Sequence, residues 1–190
     1  MRRSAFDKLI SWTGLVLAAL LVVVGGLASW AHFFIEDQVQ SQLVSQRITM
    51  PEGEAIKSLS DADRKALEPY AGSALDTGAE ARAFADHYIL AHMNASSGNR
   101  TYEEVSGEFM QLTDQEKASE AGQQVAALRQ SLFMGNTLRG LLLNAYAFGT
   151  MGLIAGLAAI ASFVGAALLA LLSVLGLRHA KTREAELATI

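Results

Sequence analysis

Two apolar blocks frame this chain. Residues 140–177 contain no Asp, Glu, Lys, Arg or His, and residues 9–35 contain no Asp, Glu, Lys or Arg. A membrane-crossing helix needs about 20 apolar residues, so either block is long enough to be one. The stretch between them is polar and reads as a series of helices. Val39, Leu43 and Val44 carry the first block onward as a short amphipathic segment. Thr49-Met50-Pro51-Glu52-Gly53 ends it, because Pro51 biases Met50 out of the helical region and Gly53 suits a turn.

Helix starts then recur. Ser60-Asp61-Ala62-Asp63 is close to a capping box, with Asp in place of Glu. Thr77-Gly78-Ala79-Glu80, Thr101-Tyr102-Glu103-Glu104 and Thr113-Asp114-Gln115-Glu116 are full boxes. In each the hydroxyl satisfies a free backbone N–H, and the acid also suits the positive end of the helix dipole. Ala81, Phe84, Ala85, Tyr88, Ile89 and His92 make one stripe on a helix over about 79–93. Tyr102, Val105, Phe109 and Leu112 mark the next helix. Ala118, Ala121, Val125, Leu128 and Leu132 mark a fourth, with coiled-coil-like spacing. Nothing after Thr113 forbids one continuous helix, and Gly135-Asn136-Thr137 is the expected break. Residues 138–150 are then an interfacial or protein-covered amphipathic segment, and residues 151–177 the second span.

Small residues line both blocks. In the first, Gly14, Ala18, Gly25 and Ser29 share one face. In the second, Gly152 and Gly156 form a G-x-x-x-G, and Ser162 and Ala166 continue it. Small residues at such spacing let another helix approach closely. The expectation is a packing seam, with the other span or with a partner. His32, one turn beyond Ser29, is expected to be a boundary residue rather than a ligand.

Charge orients the chain. Of the 15 Lys and Arg, three lie in residues 1–8 and three in residues 178–190, next to the blocks. Residues 36–139 hold nine basic against sixteen acidic residues. The positive-inside rule places both tails in the cytoplasm and the acidic middle outside. Nucleic-acid binding calls for a basic face, so that class is set aside. The first block, 27 residues long with Trp12 and Trp30 near its ends, is too long for a cleaved signal core of about 7–15 residues. It reads as an uncleaved signal anchor. The expected fold class is an all-α membrane protein, with two transmembrane helices flanking a small helical extracytoplasmic domain. The expected divisions are a tail at 1–8, a span at 9–35, an acidic domain at 36–137, the amphipathic segment at 138–150, a span at 151–177 and a tail at 178–190.

Chemistry is sparse. There is no cysteine, which removes disulfides and thiolate metal sites. His87 and His92 are five apart, and helical metal pairs stand three or four apart so that both ligands share a face. No G-x-S-x-G, Walker, H-E-x-x-H or EF-hand pattern occurs. Neither block carries the charged residues that mark ion and proton pathways. No catalytic residue, metal or cofactor is expected. Tyr70, Asp86, His87 and Tyr102 stand out as a candidate ligand or partner surface.

Tyr70-Ala71-Gly72, Thr77-Gly78, Phe84-Ala85-Asp86-His87-Tyr88-Ile89, His92 and Thr101-Tyr102-Glu103-Glu104-Val105-Ser106 resemble segments of a family of actinobacterial membrane proteins of unknown function. Members have two spans with these segments between them. Some carry the label of aromatic ring-opening dioxygenase, but four scattered histidines do not supply convergent iron ligands. The resemblance implies an actinobacterial plasma membrane. The function expected is a non-enzymatic accessory or scaffold subunit, with the lipid bilayer and a larger membrane-protein complex or homo-oligomer as partners. The alternative is an extracytoplasmic sensor or small-ligand-binding module that signals through a partner.

Overall fold

The computed structural model describes the backbone of residues 3–188 and the side chains of residues 5–182. Arg2 and the side chains of Arg3, Arg183, Glu184 and Glu186, which enter the tail charges, lie outside the described residues. Every regular element among the described residues is helical, and the one β-type pairing is a bridge between Thr49 and Ala74. The chain divides into two units, residues 1–35 with 151–190, and residues 36–150.

Helix α1 is Arg3–Ser45. A 3-10 turn at Gly53–Ile56 precedes α2, Asp61–Leu67, and a second at Glu68–Tyr70 follows it. Then come α3, Gly78–Ala83, a π-helical segment at Phe84–Ile89, and α4, Leu90–Ser97. Helix α5 is Tyr102–Gln111, α6 is Asp114–Ala118 and α7 is Glu120–Ala188.

The unit of residues 36–150 has a core of Leu43, Met50, Leu59, Leu67, Leu75, Ala81, Ala85 and Leu142. Val39 packs against it, whereas Val44, one position round from Leu43, is exposed. Two extended segments close the core, with Met50 N–H donating to Ser73 O at 2.8 Å and Leu75 N–H to Ile48 O at 2.9 Å. Tyr70 to Ser73 is a type II turn, with Gly72 at φ +72° where a side chain would be strained.

The three threonine boxes form in full. At Ser60 only half forms. Its oxygen accepts from Asp63 N–H, but the shorter Asp63 side chain bonds the Ser60 hydroxyl instead of reaching its backbone.

Three expectations are corrected. The helix expected over 79–93 runs on to Ser97, where left-handed Gly98 caps it, and it contains the π-helical segment. Ala118 belongs to α6, because extended Ser119 separates it from Ala121. Gly135-Asn136-Thr137 does not break α7. Gly135 is buried, and a Cβ there would run into the Met93 thioether. The glycine serves close packing, and that contact offsets its poor helix propensity. Residues 138–150 lie in the same unit, with Leu142 in its core and Leu143 and Ala145 packed against it.

The other unit is an antiparallel pair, residues 3–35 of α1 against residues 151–188 of α7. Two helices, over Ala5–Ser45 and Glu120–Thr182, are long and apolar enough to cross a membrane. Their most apolar windows are only 22% and 17% buried, unlike the core helix of a water-soluble fold.

Candidate functional site

The π-helical segment organises the polar groups of residues 36–150. In a π turn each N–H reaches back five residues, so the side chains rotate relative to a regular helix. Ala85 O accepts from Leu90 N–H in this pattern. The same oxygen accepts Arg139 Nε–H at 3.1 Å, and Arg139 Nη2 donates to Asp86 Oδ1 at 2.9 Å. One guanidinium thus ties α7 to the segment twice. Arg82 Nε lies 3.8 Å from the other Asp86 oxygen. Its Nη1 donates to Tyr146 Oη at 2.9 Å, and the guanidinium sits over the Tyr146 ring.

His87, next in sequence, faces α2, with Nδ1 2.9 Å from Asp63 Oδ1. The Ser60 hydroxyl on Asp63 holds its carboxyl below the usual range; partial burial opposes this, and the His87 bond adds to it. The Tyr102 ring lies tilted against Phe133, centroids 5.9 Å apart, and Tyr70 packs on the core. Asp86, His87, Tyr102 and Tyr70 therefore each have a separate partner. Asp86 and His87 were singled out by sequence as a surface; in the fold both hold helices together.

Glu80 is 7% exposed. Burial pushes its carboxyl up, but donors outweigh it. Asp76 N–H, the Ser73 hydroxyl, and the Thr77 hydroxyl and N–H all bond the carboxylate, and its pKa falls below the usual value.

A cleft of about 360 Å³ opens beside the Asp63 pair, lined by Ser60, Asp63, His92, Asn94 and Asn99 among others. His92 Nδ1–H donates to Tyr88 O at 2.8 Å. Asn94 comes from α4, and Asn99 from the turn that follows it. Asn94 begins the sequon-like Asn94-Ala95-Ser96, which says nothing of a cleft, and no motif marks Asn99.

In the other unit the two small-residue faces meet each other. A Cβ on Gly14 would collide with Ser173 Oγ, and one on Gly176 with Ser11 Oγ. A Cβ on Gly25 would stand 3.0 Å from the Phe163 ring, and one on Gly152 3.2 Å from Ile35. Ala18 and Ala166 are buried in the same seam. The hydroxyls of Ser29 and Ser162 bond carbonyls of their own helices, at Gly25 and Ala158. His32 enters the seam, with its ring over Gly156 and Nδ1 2.9 Å from Gly152 O. Gly152, Ala159, Ala166, Ser173 and Ala180 are all buried and all seven apart. A strict seven-residue repeat keeps two helices in register as a left-handed pair. That period is present in the sequence and is a stronger signal than the G-x-x-x-G.

No protein-family model, no curated protein and no solved structure matches the chain.

Proposed function

We propose that this chain is a non-enzymatic accessory or scaffold subunit of a larger plasma-membrane complex. In this reading it crosses the bilayer twice, keeps both termini in the cytoplasm and presents residues 36–150 outside. One observation carries the reading. On α7, before the second span begins, Met134, Leu138, Leu141 and Phe148 are 54%, 45%, 57% and 54% exposed. They share one helix face, and an open apolar face of this size marks an interaction surface. The spans support the topology, since their outer faces are apolar and their small residues are used on each other. Docking then falls to the α7 face rather than to Gly14, Gly25, Gly152 and Gly156.

The test is affinity purification in mild detergent, read by mass spectrometry. The wild type should retain a stoichiometric partner that the double variant Leu138→Asp/Leu141→Asp loses. A wild type that runs as a bare monomer, indistinguishable from the variant, would end the reading.

A second reading, a sensor of a small polar ligand, has the Ser60–Asn99 cleft in its favour. Amide, imidazole, hydroxyl and carboxylate groups line it together with the apolar Leu59, Ala91 and Ala95. This mixture suits a hydroxylated ligand such as a saccharide. Titration with a panel of mono- and disaccharides should move the Asn94 and Asn99 side-chain amide NMR signals. Signals that stay still would remove this reading.

A further inference from the structure

We propose that the occupant of the open α7 face is a second copy of this chain, packed parallel to the first along residues 134–148. The inference rests on the reading that this face is a docking surface, and it names the partner.

Three features favour a copy over another protein. The first is spacing. Met134, Leu138, Leu141 and Phe148 follow steps of four, three and seven, while Ala145, the position between the last two, packs on this chain's own core. That is the seam of a parallel two-helix coil, in which each residue meets its own equivalent across a two-fold axis. Copies inserted in one membrane by the same signals share one direction, so their α7 helices are already parallel.

The second is charge. Residues 36–139 carry nine basic and sixteen acidic residues, so two such units repel wherever charged surface meets charged surface. Residues 130–150 contain a single charge, Arg139. It is held by Asp86 and Ala85 O, and at 100° per residue it stands about 140° from the stripe's centre. The flanking Thr137 and Asn144 are neutral, so this is a surface on which identical acidic units can meet.

The third is size. Four half-exposed large side chains bury roughly 400 Å² per copy, about half of what a partner contributes to a stable soluble dimer. Confinement of both copies to one membrane raises their effective concentration and makes a small interface sufficient.

The absence of cysteine gives a clean experiment on the full chain in its own membrane. Single variants Leu138→Cys and Leu141→Cys place a thiol on the stripe. Asn136→Cys and Ala147→Cys place one on the exposed opposite side of α7. Two differently tagged copies are co-expressed, oxidised and run without reductant. The expected result is a species of twice the mass carrying both tags from the stripe variants, at least tenfold stronger than from the controls. As a measurement without cysteine substitution, fluorescence energy transfer between labelled wild-type copies should fall to background in Leu138→Asp/Leu141→Asp. Adducts of another mass from the stripe would overturn the second copy and keep the docking face. No adduct and no energy transfer would overturn both. Equal cross-linking from stripe and control positions, with energy transfer unchanged by the Asp variants, would show random collision and overturn the dimer.

Discussion

A guanidinium placed 3.1 Å from one carbonyl and 2.9 Å from one carboxylate has two jobs at a single position. Arg139 gives the π-helical segment a second donor at Ala85 and neutralises Asp86 where both side chains are three-quarters or so buried. Arg139→Ala leaves that carboxylate without its partner, which costs about 2 kcal/mol for a partly buried charge-assisted pair. Arg139→Lys keeps the charge but cannot make both bonds in one plane, so it recovers only part of the loss. Denaturant unfolding followed by circular dichroism checks both, and an Arg139→Ala variant as stable as the wild type would show the tie to be ornamental. Glu80 makes the second residue-scale prediction. Its folded pKa is depressed, so its stabilisation is fully present above the unfolded value of about 4.3 and is lost as pH falls through the lower folded value. Glu80→Gln should therefore lower stability near neutral pH by about 1 kcal/mol or more, the worth of a cap and its charged bonds. The variant should also flatten the acid limb of the stability–pH curve below about pH 4.3. The threonine boxes were legible because donor and acceptor stand three residues apart. The Asp63–His87 and Asp86–Arg139 pairs span 24 and 53 residues, and no local pattern links them. The one hint was that Arg139 is the sole charge between Arg129 and Arg178.

Elements obey a different economy, in which the same glycine can end a helix or let two helices touch. Gly135 was expected to end one, because glycine is a poor helix former and Asn136-Thr137 follows it. Burial against Met93 decides otherwise, and such a contact cannot be read from neighbours in sequence. The two apolar blocks were legible from length alone. Their small-residue faces were legible as faces, but a face does not name its partner. The partner is visible only in pairs such as Gly14 with Ser173 and Gly176 with Ser11. The last of these pairs is testable. A Cβ built on Gly176 stands 3.6 Å from Ser11 Cβ, within the span of about 3.5–4.5 Å that disulfides take. The double variant Ser11→Cys/Gly176→Cys should close an intramolecular disulfide on mild oxidation. It is seen as a faster-migrating monomer without reductant, reversed by dithiothreitol. Ser11→Cys with Gly26→Cys, where no neighbour lies within 4 Å, should not. If both pairs stay reduced, the two helices do not meet along this seam.

At the scale of the molecule, the physical problem is where so much apolar surface is tolerated. Large side chains such as Leu9, Trp12, Leu27, Trp30, Leu153, Ile160 and Leu172 are more than half exposed. In water, each fully exposed apolar side chain of this size forgoes about 1.5–3 kcal/mol. A bilayer removes that cost without needing a protein partner, whereas a bilayer does nothing for sixteen acidic residues in the stretch between. In the proposed topology the distribution of charge selects the side. Basic residues cluster at 1–8 and 178–190, and in the proposed topology the positive-inside rule assigns these short basic flanks to the cytoplasm. Single cysteines on the native cysteine-free background test this directly. Gln115 is exposed in the 36–150 unit, and Thr182 is exposed beyond the second apolar block. A membrane-impermeant maleimide should label Gln115→Cys in intact spheroplasts and label Thr182→Cys only after permeabilisation. The opposite pattern would mean that the chain is inserted with its acidic unit in the cytoplasm. Labelling of both in intact spheroplasts would mean that the second block does not cross. The two-span reading requires asymmetric labelling, because positions 115 and 182 lie on opposite sides only if residues 151–177 traverse the membrane once between them.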